Sequence, residues 1–260
     1  MEISIDEVLD YVTCPTLYDF KYNQDVKAIQ TERGRPNKNS ILEMYDKALH
    51  KSIASLFHAV QDGFYPGIHF LSKKWGFIWV KPRSEQEDVR FKTVSWRDTH
   101  EKKRVQGWAK LKQLWTYYGE NQGTPIMVDY PYRIQIGKHV LTGTIDLVRV
   151  VKNENNREYI ELTEFVTDER NAPFLHIRRD WKVTASVLAF QKIMNVKAEK
   201  IVYHGIISGK LKPTIRDESD FSQLERLLDS IEKARDFNIY YPVFNERCLT
   251  CPYEKHCEKG

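Results

Sequence analysis

The sequence of 260 residues lacks a hydrophobic run of about 18 residues, the length that a membrane-spanning helix requires. Its first residues have neither the basic start nor the apolar centre of a secretory signal peptide. We therefore expect a cytoplasmic, reducing environment. The chain also lacks internal repeats, low-complexity linkers and a glycine-rich phosphate loop, so an ATP-driven motor would have to lie on another chain.

Cysteine is scarce, but its placement is the most informative feature of the chain. Cys248, Cys251 and Cys257 form a C-x2-C-x5-C run, and the fourth cysteine is Cys14, far upstream. In a reducing compartment such residues are metal ligands more often than disulfides, although two disulfides are the alternative. Four thiolates suit one zinc ion or one iron–sulfur cluster. If they share a site, the two ends of the chain meet in space.

Charge is almost balanced, with 40 basic and 36 acidic residues and a net charge of +4. This is compatible with nucleic-acid binding but is not diagnostic of it. Residues 102–112 and 176–182 interleave basic groups with tryptophan, which suits phosphate contacts and base stacking. The alternative is a solvated helix face with its tryptophan in the core.

Apolar periodicity predicts helices at 4–22, 40–62, 99–119, 180–194 and 218–236, and strands at 126–136, 139–151, 158–166 and 200–207. Residues 63–98 carry no clear pattern. This order of elements predicts an α/β fold, in which a mixed sheet is flanked by helices.

Two carboxylates stand among apolar neighbours on consecutive predicted strands. Asp146 lies in Gly-Thr-Ile-Asp-Leu-Val, and strand alternation puts Glu164 on the apolar face of its strand while Glu161 could face solvent. A buried carboxylate is costly without a partner. Backbone donors could satisfy Asp146, or the two carboxylates could hold a hard divalent cation. Such a cation activates water and stabilises charge on a phosphate.

The helix at 40–62 carries His50, which could add a nitrogen ligand to the two carboxylates. An imidazole ligand would favour manganese somewhat over magnesium.

Together these features resemble the PD-(D/E)XK nucleases of the RecB type, and among them the iron–sulfur exonucleases of the CRISPR-associated and AddB-like kind. The shared order is a helix ending in Cys14-Pro15, a helix with a histidine, the Gly-x-Ile-Asp strand, a glutamate strand, a helix and the C-x2-C-x5-C run. The resemblance extends from Asp6 to Cys257, with residues 63–125 unmatched.

The resemblance implies a restriction-endonuclease-like mixed sheet with a lobe in which the four cysteines hold a 4Fe-4S cluster and join the termini. It implies an N-terminal segment at 1–38, a nuclease core at 39–240 with an insertion at 63–125, and a cysteine segment at 241–260. It also implies that His50, Asp146, Glu164 and the backbone carbonyl of Phe165 bind Mg2+ or Mn2+.

The sequence departs from the family pattern in its lysine. The acidic strand should continue Glu-x-Lys, but Val166 holds the lysine position, and the following helix has Lys182 and Ser186 where glutamine and tyrosine are usual. The glycine expected a few residues before His50 is also missing. A lysine can act from a different backbone position, so we predict Lys182 as the catalytic cation beside Asp146 and Glu164.

The predicted function is a Mg2+- or Mn2+-dependent, exonuclease-like deoxyribonuclease acting on single strands or DNA ends. Arg178, Arg179 and Lys182 are expected to guide the strand. We expect DNA to be the partner. The resemblance also allows protein partners in a repair, CRISPR or phage complex. One alternative is a degenerate nuclease fold that binds nucleic acid or scaffolds a complex, and another is a zinc-stapled interaction protein.

Overall fold

The computed structural model describes residues 1–23, 41–79, 94–119, 123–167 and 180–245, with Cys248, Cys251, Tyr253 and Cys257. In these ranges the helices are α1 (Ile5–Thr13), α2 (Pro15–Tyr22), α3 (Ile41–Gln61), α4 (Ile68–Ile78), α5 (Val94–Gly119), α6 (Trp181–Met194) and α7 (Glu218–Asp236). The strands are β1 (Glu2–Ser4), β2 (Thr124–Ile136), β3 (His139–Lys152), β4 (Glu158–Val166), β5 (Lys200–Gly205) and β6 (Leu211–Thr214). None of the described helices is both long and apolar enough to cross a membrane.

The first helical segment differs from its prediction because the chain breaks at Cys14. This residue is extended (φ −168°, ψ 114°), and Pro15 then opens α2, where its missing N–H costs nothing. Ser4 begins α1 through a capping box with Glu7. The predicted helices and strands are otherwise present, whereas β1, α4 and β6 were not predicted.

A single mixed sheet organises the described chain, and β3 is its longest and most widely paired strand. It pairs antiparallel with β2 along one edge, where Gly137 makes the turn at φ +52°. On the other edge it pairs first with β1, at residues 140–142, and then with β4, at residues 147–152. Residues 143–146 therefore lie at a fork, between the end of one neighbour strand and the start of the next.

Helices cover both faces of this sheet, and each face has its own apolar core. One core joins the sheet to α1, α6 and α7, with fully buried side chains such as Val8, Val183 and Leu228. The other joins it to α3, α4 and α5, with Leu49, Leu71 and Leu111. The predicted mixed sheet flanked by helices is confirmed.

A buried ion pair on the second face corrects the expectation that Glu161 faces solvent. Both Glu161 and its cross-strand neighbour Arg149 are 2% exposed. The Arg149 guanidinium is bonded to Glu161 Oε1 at 2.5 and 3.0 Å, and Lys200 Nζ lies 2.8 Å from Oε2. Arg149 also lies over the ring of Tyr118, whose hydroxyl is 3.0 Å from His204 Nδ1. These contacts attach the end of α5 to the sheet.

Replacing Glu161 with glutamine is expected to destabilise the protein by about 3 kcal/mol at neutral pH, because Arg149 would stay buried without its counter-charge. Burial alone would raise the pKa of Glu161, but the charges and hydrogen bonds of Arg149 and Lys200 outweigh it and bring the net pKa below its ordinary 4.5. Its stabilising charge is therefore present above pH 4.5 and is lost as the pH falls. Urea unfolding of both proteins should show a constant difference in the free energy of unfolding from pH 7 to about pH 5 and a narrowing difference as the pH falls below about 4.5, toward the folded-state pKa.

The control for this change is Glu158→Gln, on the same strand, where the pair with Lys152 is exposed. It should leave the free energy of unfolding almost unchanged. An equal loss in both variants would contradict the special role of the buried pair.

Candidate active site

Asp146 lies at the fork of the sheet, where β3 has left β1 and has not yet met β4. Its side chain is 9% exposed. Its Oδ2 accepts a hydrogen bond of 2.9 Å from the backbone N–H of Phe165, close to the end of β4. The carboxylate thus takes the place of a strand partner where the β3–β4 pairing stops. This contact agrees with the alternative in which backbone donors satisfy Asp146.

Close packing explains why the first residue of the Gly-Thr-Ile-Asp segment is glycine. A Cβ added at Gly143 would lie 2.4 Å from the hydroxyl of Tyr132, the residue paired with it on β2. Tyr132 is itself buried, so a larger side chain at residue 143 would displace it from the core.

Glu164 lies on β4 on the face opposite Glu161, and only 1% of its side chain is exposed. Its carboxylate contacts Lys182 Nζ and lies 3.5 Å from the hydroxyl of Ser186. Ser186 was noted in the sequence only as a departure from the family tyrosine.

Lys182 reaches the two carboxylates from the first turn of α6. Asp180 caps this helix by accepting from the backbone N–H groups of Lys182 and Val183. The Lys182 ammonium lies 3.3 Å from both Asp146 oxygens and forms an ion pair with Glu164. The side chain as a whole is 28% exposed, although its ammonium lies against two buried carboxylates.

The two buried carboxylates have pKa values that are shifted in opposite directions. Burial raises the pKa of Glu164 well above its usual range, and the charge of Asp146 raises it further. Burial also disfavours the charged form of Asp146, but Lys182, His50 and the Phe165 N–H outweigh it and lower its pKa. The Lys182 pKa is raised well above its usual range, because the two carboxylates outweigh its burial. The group therefore contains one firmly ionised carboxylate, a lysine cation and a carboxyl that readily holds a proton.

His50 points from α3 toward the same place. Its Nδ1 lies 3.9 Å from Asp146 Oδ2, and its Nε2 lies 3.6 Å from Asp46 Oδ1, one turn earlier on the helix. Asp46 in turn accepts a hydrogen bond from the hydroxyl of Thr167, just after β4. Sequence analysis missed Asp46, although its spacing of four residues from His50 was a usable signal.

The structure thus brings together His50, Asp146, Glu164, Phe165 and Lys182, which lie on four different elements. Arg178 and Arg179 lie outside the described residues. Of the two tryptophans in the basic segments, Trp108 packs partly buried against one core and Trp181 against the other. This arrangement agrees with the packing alternative for those tryptophans rather than with base stacking.

The four cysteines lie where the two ends of the chain approach each other. The backbone N–H of Val243 faces Cys14 Sγ at 3.4 Å, and the side-chain amide of Asn245 donates to the carbonyl of Thr13 at 3.2 Å. Burial raises the pKa of the Cys251 thiol, and the nearby thiols of Cys248, Cys14 and Cys257 raise it further.

The cysteines form no disulfide, which removes that alternative for the described structure. In the part of the chain that the structure describes, no three of the four sulfur atoms lie within 4.8 Å of one another. The thiols are therefore near each other without being gathered as the ligands of one small tetrahedral ion.

A separate cluster was not predicted, because its members are about 90 residues apart. His139 Nε2 lies 2.8 Å from Asp229 Oδ1, and Glu232 completes the only group of three such ligand atoms within 4.8 Å among the described residues. Lys138 and the N-terminal amine already pair with Glu232, however. These cations balance the two carboxylates, and we interpret the cluster as an attachment of α7 to the sheet.

Comparison with known proteins identifies the family of the chain. A family model for the PD-(D/E)XK nuclease superfamily matches residues 2–258. The chain belongs to this superfamily. Among solved structures it is similar to the crystal structure of SSO0001, at 14% identity, 99% coverage of this chain, 85% coverage of that chain and a TM-score of 0.39. No curated protein matches it significantly.

Nucleases of the PD-(D/E)XK superfamily typically use Mg2+ or Mn2+, and the site at the fork has the donors for such an ion. Carboxylate and carbonyl oxygens are ligands that hard divalent cations prefer. A lysine ammonium already lies against both carboxylates, so the position attracts positive charge. The residues present therefore fit a divalent cation.

Proposed function

We propose that this protein is a Mg2+- or Mn2+-dependent deoxyribonuclease that hydrolyses phosphodiester bonds in single strands or at DNA ends. The observation that carries the proposal is the contact of Lys182 with both Asp146 and Glu164. The lysine missing from β4 is replaced in space by one from α6. A degenerate fold has no need to keep two buried carboxylates and a cation to neutralise them.

In this proposal Asp146, Glu164, His50 and the carbonyl of Phe165 hold the cation, which supplies activated water and stabilises phosphate charge. Lys182 orients the attacking water or stabilises negative charge on the phosphate through its ammonium group, which lies beside both carboxylates. Ser186 keeps Glu164 in place from the next turn of α6. Arg178 and Arg179, which precede that helix, guide the strand.

We further propose the RecB-like iron–sulfur subtype, with Cys14, Cys248, Cys251 and Cys257 holding a 4Fe-4S cluster. The contacts of Val243 and Asn245 support this by bringing the C-terminal segment to Cys14 and Thr13. The choice of a cluster over zinc rests on the resemblance to the iron–sulfur exonucleases, because four thiolates suit either group. The lobe would join the segments 1–38 and 241–260.

The second candidate is a non-catalytic subunit that binds nucleic acid or scaffolds a complex. The observation in its favour is the valine at residue 166, where an active strand usually has lysine. This candidate predicts salt-dependent DNA binding without cleavage.

Purified protein with Mn2+ should cleave end-labelled single-stranded DNA, and Asp146→Asn should reduce the rate at least about 100-fold, because the variant loses a cation ligand. The readout is fragment release on a denaturing gel, with EDTA as the metal-free reference. Asp229→Asn is the matched control, since it removes a carboxylate from the His139 cluster. Binding without cleavage in the wild type would favour the scaffold candidate.

Replacing Lys182 with methionine should separate cation binding from catalysis. The variant should bind Mn2+ more tightly, because the ammonium no longer competes for Asp146 and Glu164, while cleavage at saturating Mn2+ is lost. Calorimetric titration with Mn2+ and single-turnover cleavage measure the two effects. Lys192→Met, on the exposed last turn of α6, should change neither. Retained cleavage in Lys182→Met would rule out this lysine as the catalytic cation.

The cysteine lobe has its own test. Protein isolated without oxygen should be brown and contain iron and sulfide, whereas a zinc protein would be colourless. Cys251→Ser should lose the colour and lower the thermal stability, since the lobe fastens the two termini. Zinc in place of iron in the anaerobic protein would contradict the cluster.

A further inference from the structure

A third carboxylate, Asp46, approaches the site from behind His50. The imidazole lies between two carboxylates, with Nδ1 on the side of Asp146 at 3.9 Å and Nε2 on the side of Asp46 at 3.6 Å. Each ring nitrogen thus has its own acidic neighbour. Only the nitrogen facing Asp146 is directed toward the position that fits a cation.

A contact across the fold helps to hold Asp46 in place. The hydroxyl of Thr167 donates to Asp46 Oδ1, and Thr167 follows directly after β4, three residues beyond Glu164. The Asp46 side chain is 45% exposed, so apolar packing does not hold it there. This hydrogen bond connects α3, which carries His50, to the end of the strand that carries Glu164.

We propose that Asp46 is a positioning residue for His50. Its carboxylate accepts the Nε2–H of the imidazole, and the lone pair on Nδ1 then remains available for the cation. Histidines that bind metals nearly always donate their second ring N–H to a carboxylate, carbonyl or water, which fixes the tautomer and the ring orientation. In the structure the two atoms are 3.6 Å apart, which is an ion-pair distance rather than a hydrogen bond, so the proposal requires the ring and the carboxylate to move slightly closer. The inference rests on the proposed function, because it assigns Asp46 to the same cation site.

Two other roles for Asp46 make different predictions. A direct ligand would strengthen cation binding whether or not His50 is present. A general charge effect would likewise persist when His50 is removed, because it does not act through the imidazole. A positioning residue acts only through the imidazole, so its effect disappears when the imidazole is removed.

The test is the dissociation constant for Mn2+, measured by calorimetric titration without DNA. Asp46→Asn should raise it about 10–100-fold, the usual cost of losing such a partner. In a His50→Ala background the same change should add little. Asp62→Asn, which removes an exposed carboxylate just after α3, should have no effect.

Equal losses from Asp46→Asn with and without His50 would overturn the positioning role, and so would an unchanged dissociation constant in the single variant. Circular dichroism and thermal unfolding check that the variant is folded. Thr167→Val, which removes the donor to Asp46, should weaken Mn2+ binding in the same direction by a smaller factor, and no change there would also count against the proposal. A wild type that binds no Mn2+ would instead overturn the proposed function and, with it, this inference.

Discussion

Two carboxylates held together in a buried space need a positive charge between them. Asp146 and Glu164 lie on neighbouring strands and are almost fully removed from solvent, where their repulsion is strong. Lys182 supplies the compensating charge, and its reach sets where α6 must begin. Asp180 fixes that beginning by capping the helix, and Arg216 donates to Thr184 one turn later at 2.8 Å. The placement of a whole helix thus follows from the charge requirement of two side chains.

The site lies where the sheet is incomplete. On one edge of β3 the pairing with β1 ends at Thr142 and the pairing with β4 starts at Leu147, so the residues between them have no strand neighbour on that side. The carboxylate of Asp146 instead takes the backbone N–H of Phe165. A continuous ladder would have satisfied that N–H by itself and left no opening beside the carboxylate.

Most of the architecture could be predicted from apolar periodicity, because α3 and the strands β2 to β4 are long and strongly patterned. The amphipathic pattern of α1 masked the three-residue strand β1, and the glycine and aromatic residues of α4 masked its helical pattern. Glu161 was expected to face solvent because alternation predicts which face of the strand a side chain is on, but not what covers that face. In the fold that face holds Arg149, whose charge makes burial of the glutamate favourable.

For the site, spacing and resemblance predicted Asp146, Glu164 and Lys182 as neighbours. In the structure Lys182 contacts both carboxylates. Contacts between distant segments had no local signal. The pair of His139 and Asp229 and the hydrogen bond of Thr167 to Asp46 join residues 90 and 121 positions apart. Only the fold brings such residues together, since neither partner stands in a distinctive local pattern.

The short strand β1 has a mechanical consequence. It forms the near side of the fork, and α1 runs from it to Thr13, whose carbonyl is held by Asn245 of the C-terminal segment. The far side belongs to β4, which is fastened to β5 and does not depend on the cysteines. The two sides of the fork are therefore held by different parts of the chain. The segment that carries the C-terminal thiols is thereby connected, through α1 and β1, to one side of the site.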